Sequence, residues 1–371
     1  MLWERLSVTG LESGLSGIGV CDVDPFDDVR LTLEDRKASG LAGGLTFTYN
    51  DPVRSTDITR SFPWARRLVV AAHPYVPDSG SPSPPKHGTG RVARFATADH
   101  YVPLRNALGR LATLLTDEGY RAETLVDDNR LVDRAAAVRA GVAWWGKSTM
   151  VLAPGVGPWI LLGSVVTDAE LPETEPMVRD CGTCDACIPA CPTGALISPG
   201  VLDARRCLAH LLQAAGSIPI ELREAVGDRV YGCDECLDAC PPGQRLIQET
   251  GEGGGRIDLL EALELSDAAL LERFDHFYIP RRRPGYLRRN LLVALGNSGG
   301  GEAEVTMAGG LLANPDPIVR SHAAWALGRL GGQAARNHLD GATRSEQDAE
   351  VVREIESALA QCEGSPAEAG H

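Results

Sequence analysis

Eight cysteines between positions 181 and 240 carry the strongest chemical signal in this 371-residue chain. Cys181, Cys184, Cys187 and Cys191, followed by Pro192, form C-x2-C-x2-C-x3-C-P, the bacterial ferredoxin run. Three thiolates on a tight loop reach three irons of one cubane, whereas the Cys-Pro turn points the fourth sulfur toward a second cluster. The other half is Cys233, Cys236 and Cys240 before Pro241, with Val230 where a further cysteine would complete the run. Cys207 is the other cysteine of the segment. Cys181, Cys184, Cys187 and Cys240 are therefore assigned to one [4Fe–4S] cluster, and Cys191, Cys207, Cys233 and Cys236 to a second. Zinc also takes four thiolates, but zinc ribbons have no need of the Cys-Pro fourth position. Cys21 and Cys362 lie outside the array and are given no role.

Three further stretches have residue types suited to chemistry. Gly141 to Ser148 fits G-x-x-x-x-G-K-[ST], a phosphate-binding loop, but a helix pattern precedes it and extended residues follow, the reverse of the strand-loop-helix context that chemistry needs. Gly141 reads more simply as a helix C-terminal glycine. Val126-Asp127-Asp128 falls at a strand-to-helix junction, where loops of an α/β domain carry chemistry. On residue physics alone, one of its aspartates caps the following helix and the other is solvated. Finally, residues 273–290 hold six arginines against one aspartate, a local charge of +5 that leaves −19 for the rest of a chain whose total is −14. A charge run is ordinarily a solvated face, but arginines bracketing Tyr286 also suit a phosphate backbone with a stacked base.

The elements that must position these groups follow from periodicity. Residues 68–72 read as a short buried strand, 103–119 as an amphipathic helix with a leucine stripe stopped by Gly119, 121–126 as a strand, 130–140 as a helix stopped by Gly141, and 160–167 as another strand. This alternation predicts an α/β domain over 1–175, followed by a ferredoxin-like two-cluster domain over 176–248. Residues 74–90 read as a Pro/Ser/Gly loop, and 251–255 as a glycine linker. Beyond it, Arg288, Ala294, Leu295, Gly296, Gly299 and Gly300 recur 32 positions later as Arg320, Ala326, Leu327, Gly328, Gly331 and Gly332, and Ala358-Leu359 continues the period. Helix pairs ending in Leu-Gly predict an all-α HEAT-like repeat over 256–371, with a frayed tail after Cys362.

The N-terminus builds no apolar signal region, and no apolar stretch approaches the ~20 residues that cross a bilayer. Locally packed cysteines then point to thiolate ligands in a reducing cytoplasm rather than to disulfides. The acidic total argues against a generic polyanion binder, but one basic edge on an acidic body permits local binding of a structured RNA.

Together these pieces resemble the epoxyqueuosine reductase family. The likeness rests on Gly90-Arg91-Val92-Ala93-Arg94-Phe95-Ala96, Val126-Asp127, Ala140 through Lys147, Asp203 through Cys207, and Tyr231-Gly232-Cys233-Asp234-Glu235-Cys236. Asp99-His100-Tyr101, Ala209-His210 and Pro242-Gly243 depart from the family's forms. The resemblance implies a cobalamin-binding catalytic domain and reduction of epoxyqueuosine to queuosine at the tRNA anticodon wobble position. By the same resemblance, cobalamin in its Co(I) state engages the epoxide-bearing ring and Asp127 gives a proton to the leaving oxygen. Arg134 and Lys147, from matching motifs, are expected to touch cobalamin. Arg281, Arg282, Arg283, Arg288 and Arg289 are expected to hold tRNA phosphates. A low-potential electron donor of ferredoxin or flavodoxin type, a monomeric chain and no membrane complete the expectation. Two other classes fit parts of the sequence. One is a corrinoid or iron–sulfur electron-transfer protein, or a cobalamin-dependent reductase with a non-tRNA substrate; the other is an iron–sulfur scaffold whose repeat binds a protein.

Overall fold

The computed structural model describes residues 1–75, 88–250 and 255–364, with the side chains of 248–250, 363 and 364 left aside. Most of the 74–90 loop, residues 251–254 of the glycine linker and the end of the tail fall outside this range. Two compact units emerge.

The first unit comprises Met1–Gly80, Ala98–Cys207 and Asp234–Gly253. Its centre is a four-stranded antiparallel sheet of β1 (Gly17–Cys21), β2 (Arg67–Pro74), β3 (Ala122–Val126) and β4 (Ile160–Thr167), in the order β1-β2-β4-β3. β2 and β4 are central and almost wholly apolar because both faces are covered, so the sequence shows a continuous hydrophobic run rather than alternation. Helix α1 (Tyr101–Asp117) lays Leu104, Leu108, Leu111 and Leu115 on the sheet, each fully buried. Gly119, at φ +89°, turns the chain back into β3.

The helix expected over 130–140 is shorter, α2 (Asp133–Arg139). Asp128 accepts hydrogen bonds from the Arg130 backbone N–H (2.8 Å) and from its guanidinium (2.6 Å), folding residues 128–130 into a side-chain-locked turn. Asp128 is thus no helix cap, and 127–132 becomes a loop between β3 and α2. Gly141 does stop the helix, at φ +63°, and a Cβ there would lie 2.1 Å from the Glu175 carbonyl oxygen. The stretch that matches a phosphate loop leaves this helix and enters a hairpin, Trp144–Trp145 pairing antiparallel with Val151–Leu152, so it does not have a phosphate loop's architecture.

The second unit comprises Ser81–Thr97, Leu208–Cys233 and Gly254–His371. Residues 176–248, read in chain order as one domain, are therefore divided, with 208–233 packing in the helical unit. The helix α3 (Pro284–Asn297) explains why. Arg289 donates to the carbonyls of Leu211, Ala214 and Gly216, Asn290 to those of Leu212 (2.7 Å) and Val230 (3.0 Å), and Asn297 to those of Arg223 (2.8 Å) and Gly227 (3.0 Å). One helix thereby supplies donors to backbone carbonyls that this half-buried segment would otherwise leave unpaired.

Behind it stack α4 (Glu302–Leu311), α5 (Pro317–Leu330), α6 (Gly332–Thr343) and α7 (Ala349–Gly364). The 32-residue period is a packing device. A Cβ on Gly296 would lie 2.9 Å from Ala326 Cα, and one on Gly328 would lie 2.9 Å from Ala358 Cα, so each repeat's glycine admits the next repeat's alanine. Beneath the stack, Arg223 and Glu354 form a buried ion pair at 2.6 Å.

Candidate functional site

The first unit carries two chemical groupings. The Cys181–Cys187 loop is shaped by its backbone: the Cys184 N–H donates to the Cys181 carbonyl (3.0 Å), and Asp180 Oδ1 accepts from the Gly182 N–H (2.6 Å), with Gly182 at φ +51°. Lys147 Nζ donates to the Gly182 carbonyl (2.8 Å), placing an ammonium on this loop. The Cys187 thiol is pushed up by burial and by nearby Cys181 and Cys184, with Lys147 opposing. Cys240, far along the chain, is pushed up to about 11 by burial and by Cys181, Cys187 and Cys184. These four thiols therefore share one neighbourhood, the quartet expected for the first cluster. The segment bearing Cys240 is pinned by the Trp159 indole, which donates to the Gly243 carbonyl (3.0 Å). A Cβ on Gly243 would lie 2.8 Å from Trp159 Nε1, a close approach that explains the glycine at that departure from the family pattern.

Cys191 is set in a different environment. Burial raises its thiol, but the N–H groups of Leu196, Thr193 and Ala195 and the Thr193 hydroxyl outweigh it, so the thiol lies below its usual range. The Thr193 hydroxyl also donates to the Arg206 carbonyl (2.7 Å), bringing the Cys191 turn alongside the residue before Cys207. Cys236 sits in the short helix Glu235–Asp238 of the same unit, and Cys233 packs against the core of the second unit. Among the described residues no three His, Cys, Asp or Glu side chains meet closely enough for one metal ion. A cubane, whose ligands sit on separate iron corners, asks for wider spacing.

The second grouping is the loop after β3. Asp127 adopts φ +51°, a left-handed conformation that costs a non-glycine residue energy and clusters at functional positions. The loop is pinned where the Ser55 hydroxyl donates to the Asn129 carbonyl. Asp127 is open to solvent, yet desolvation by the surrounding protein, reinforced by Asp128, pushes its carboxyl above its ordinary range. Its neighbour moves the opposite way, because hydrogen bonds from Arg130 hold Asp128 low. Asp133, first residue of α2, is raised further still, by burial and then by Asp127, and its Oδ1 is buried without a hydrogen-bond partner. Reading 130–140 as one ordinary helix missed this residue. The available signal was an acid flanked by Val132, Ala135 and Ala136, all buried.

Arg134 is open to solvent, yet enough protein surrounds it for desolvation to lower its guanidinium, with Asp133, Tyr101, Tyr49 and Tyr75 acting against that. Tyr75 is buried and Tyr49 and Tyr101 are half-buried, so Arg134 is the solvent-facing cation of this group, a donor of the kind that the amide-bearing rim of a corrin accepts.

In the second unit the arginine stretch separates into two kinds. Arg281 and Arg282 are exposed, at φ +53° and +51°. Arg282 donates to the carbonyls of Asp275 (3.3 Å) and Leu271 (3.0 Å), and Arg283 pairs with Asp316 at 2.7 Å. Arg288 and Arg289 depart from expectation. They are 5% and 1% exposed, Arg288 bound by Asp267 and the carbonyls of Leu263 and Leu265, and Arg289 by the three carbonyls named above. Guanidiniums so enclosed and occupied do not present a fork to phosphate. Tyr286 is likewise taken, with Arg283 and Arg289 each 5.2 Å from its ring centroid. Tyr278, 66% exposed, is the free aromatic of this region.

A chain with clustered cluster-type thiols and a stack of helical repeats belongs to the iron–sulfur proteins that carry a repeat platform. Residues 180–243 match the family described as 4Fe-4S double cluster binding domain, and residues 280–360 match HEAT repeats. An epoxyqueuosine reductase of Bacillus cereus is 30% identical over 358 residues, covering 93% of each chain. Among solved structures, an epoxyqueuosine reductase with an epoxyqueuosine-modified tRNA-Tyr stem loop aligns at TM-score 0.87 and 29% identity, over 98% of this chain and 99% of that one. Another, from Bacillus subtilis with its catalytic aspartate loop swung out of the active site, aligns at TM-score 0.86 and 30% identity, over 97% and 98%. This chain belongs to the epoxyqueuosine reductase family.

Proposed function

We propose that the chain reduces epoxyqueuosine to queuosine at the wobble position of a tRNA anticodon, with cobalamin and two [4Fe–4S] clusters as cofactors. The observation that carries this reading is Asp127: a solvent-accessible aspartate held in a left-handed conformation just after β3, whose carboxyl is nevertheless held above its ordinary range, in a family with a member described by its catalytic aspartate loop. A carboxyl whose proton affinity is raised is better suited than an ordinary one to hold a proton for an oxygen on which negative charge develops. Asp127 takes that role. Asp128, fixed as a carboxylate by Arg130, raises its neighbour's proton affinity and holds the loop.

Cys181, Cys184, Cys187 and Cys240 hold one cluster, and Cys191, Cys207, Cys233 and Cys236 the other. When bound, cobalamin supplies a low-potential cobalt centre for opening the epoxide, with electrons relayed singly through the clusters from a ferredoxin- or flavodoxin-type donor. Arg134, open to solvent, would donate to its amide rim. Lys147, with one of three ammonium donors taken by Gly182, keeps two for the cofactor. Arg281 and Arg282, with Arg283 shared with Asp316, meet tRNA phosphates, and Tyr278 offers a face for a base. The chain acts as a monomer in the cytoplasm; among its described residues no helix is long and apolar enough to cross a membrane.

Asp127→Asn tests the reading. It should retain the cluster spectra and tRNA affinity while turnover falls by roughly 10²–10⁴. Undiminished turnover would overturn the assignment.

A further inference from the structure

Converting an epoxide to an alkene breaks two carbon–oxygen bonds, takes up two electrons and two protons, and releases the oxygen as water. The function proposed above, on which this inference rests, provides electrons through the clusters and one proton from Asp127. A second proton must reach the same oxygen.

Asp133 is placed to hold it. It opens α2 at the far end of the loop that Asp127 begins, and its Oδ1 is buried without a partner. The other acid of the loop, Asp128, is occupied by Arg130. A carboxylate oxygen buried without a donor is costly, and protonation of the carboxyl relieves that cost. The charged groups acting on Asp133 are Asp127 and Asp128 from the loop and Arg134 from its own helix, so one cation faces two acids. Two carboxyls that act on each other titrate as a pair and retain at least one proton over a wider pH range than either alone.

We propose that Asp133 stores the second proton of the reaction and passes it to Asp127 between the two protonations of the departing oxygen. Asp127 first protonates the oxygen as the ring opens and becomes a carboxylate. Asp133 then restores the Asp127 proton, and Asp127 protonates the hydroxyl that leaves as water while the carbon–carbon double bond forms. The two electrons come from the clusters, and both carboxyls recover their protons from solvent. Acting through Asp127, Asp133 is a positioning residue.

The test compares Asp133→Asn and Asp133→Glu with wild type in the reconstituted holoenzyme. Infrared difference titration of the wild type should show, besides the Asp127 signal, a carboxyl C=O band persisting into the neutral range, and this second band should disappear in Asp133→Asn while the Asp127 signal remains. The same variant should keep its iron content and KM for tRNA while kcat falls by about 10- to 100-fold. It should also lose the alkaline limb of kcat that deprotonation of Asp133 gives the wild type. Asp133→Glu should recover part of the rate. An Asn variant with wild-type kcat and pH profile, or with the infrared band intact, would overturn the proposal. So would weakened cobalamin affinity with an unchanged pH profile, which would make Asp133 a cofactor contact. If the wild type forms no queuosine, the proposed function fails, and the infrared arm alone decides whether Asp133 stores a proton.

Discussion

Adjacent aspartates with opposite proton affinities define the site at the level of single residues. Asp127 and Asp128 share a loop, yet desolvation raises one and Arg130 lowers the other, so identical side chains differ in proton affinity. The thiols divide in a comparable way. Cys240 is raised beside Cys181, Cys184 and Cys187, whereas Cys191 rests among N–H donors. Cys240→Ser should therefore remove one cluster and leave the other, lowering bound iron from about eight to about four per chain. Loss of all iron would show that the two quartets do not assemble independently, and no loss would remove Cys240 from the ligand set.

Elements whose identity depends on apolar pattern were legible in the sequence. The strand at Ile160–Thr167 has its expected bounds because nearly every side chain is buried, and the leucine stripe at 104–115 marked its helix. The start of α2 was not legible. A side chain, Asp128, captures Arg130 and delays the helix to Asp133, and no periodicity records that choice. The arginines show a signal that was present and not used. Arg288 recurs in the repeat as Arg320, and both turn back onto carbonyls of the preceding segment, Leu263 and Leu265 for one, Asn314 and Pro315 for the other. A charge that recurs with the packing period belongs to the packing. Arg289, buried on the same helix, is likewise spent on carbonyls, and Arg289→Ala should cost roughly 3–5 kcal/mol in chemical unfolding, by removing the donor to three carbonyls, without altering the salt dependence of tRNA binding. Wild-type stability with weakened tRNA binding would return Arg289 to the phosphate surface.

For the whole molecule, the total charge of −14 disfavours indiscriminate contact with polyanions and leaves RNA binding to a local basic edge. With Arg288 and Arg289 withdrawn into the core, that edge narrows to Arg281, Arg282 and the half-shared Arg283. Arg281→Glu with Arg282→Glu should weaken tRNA binding and reduce the slope of log K against log salt by about 2. An unchanged slope would make the edge a solvated face. The reaction itself is tested by anaerobic incubation of the cluster-reconstituted chain with cobalamin, a low-potential reductant and epoxyqueuosine-containing tRNA, followed by nucleoside analysis. Epoxyqueuosine should be converted to queuosine in a manner that depends on both cobalamin and Asp127; cobalamin binding with the epoxide left intact would rule the reaction out.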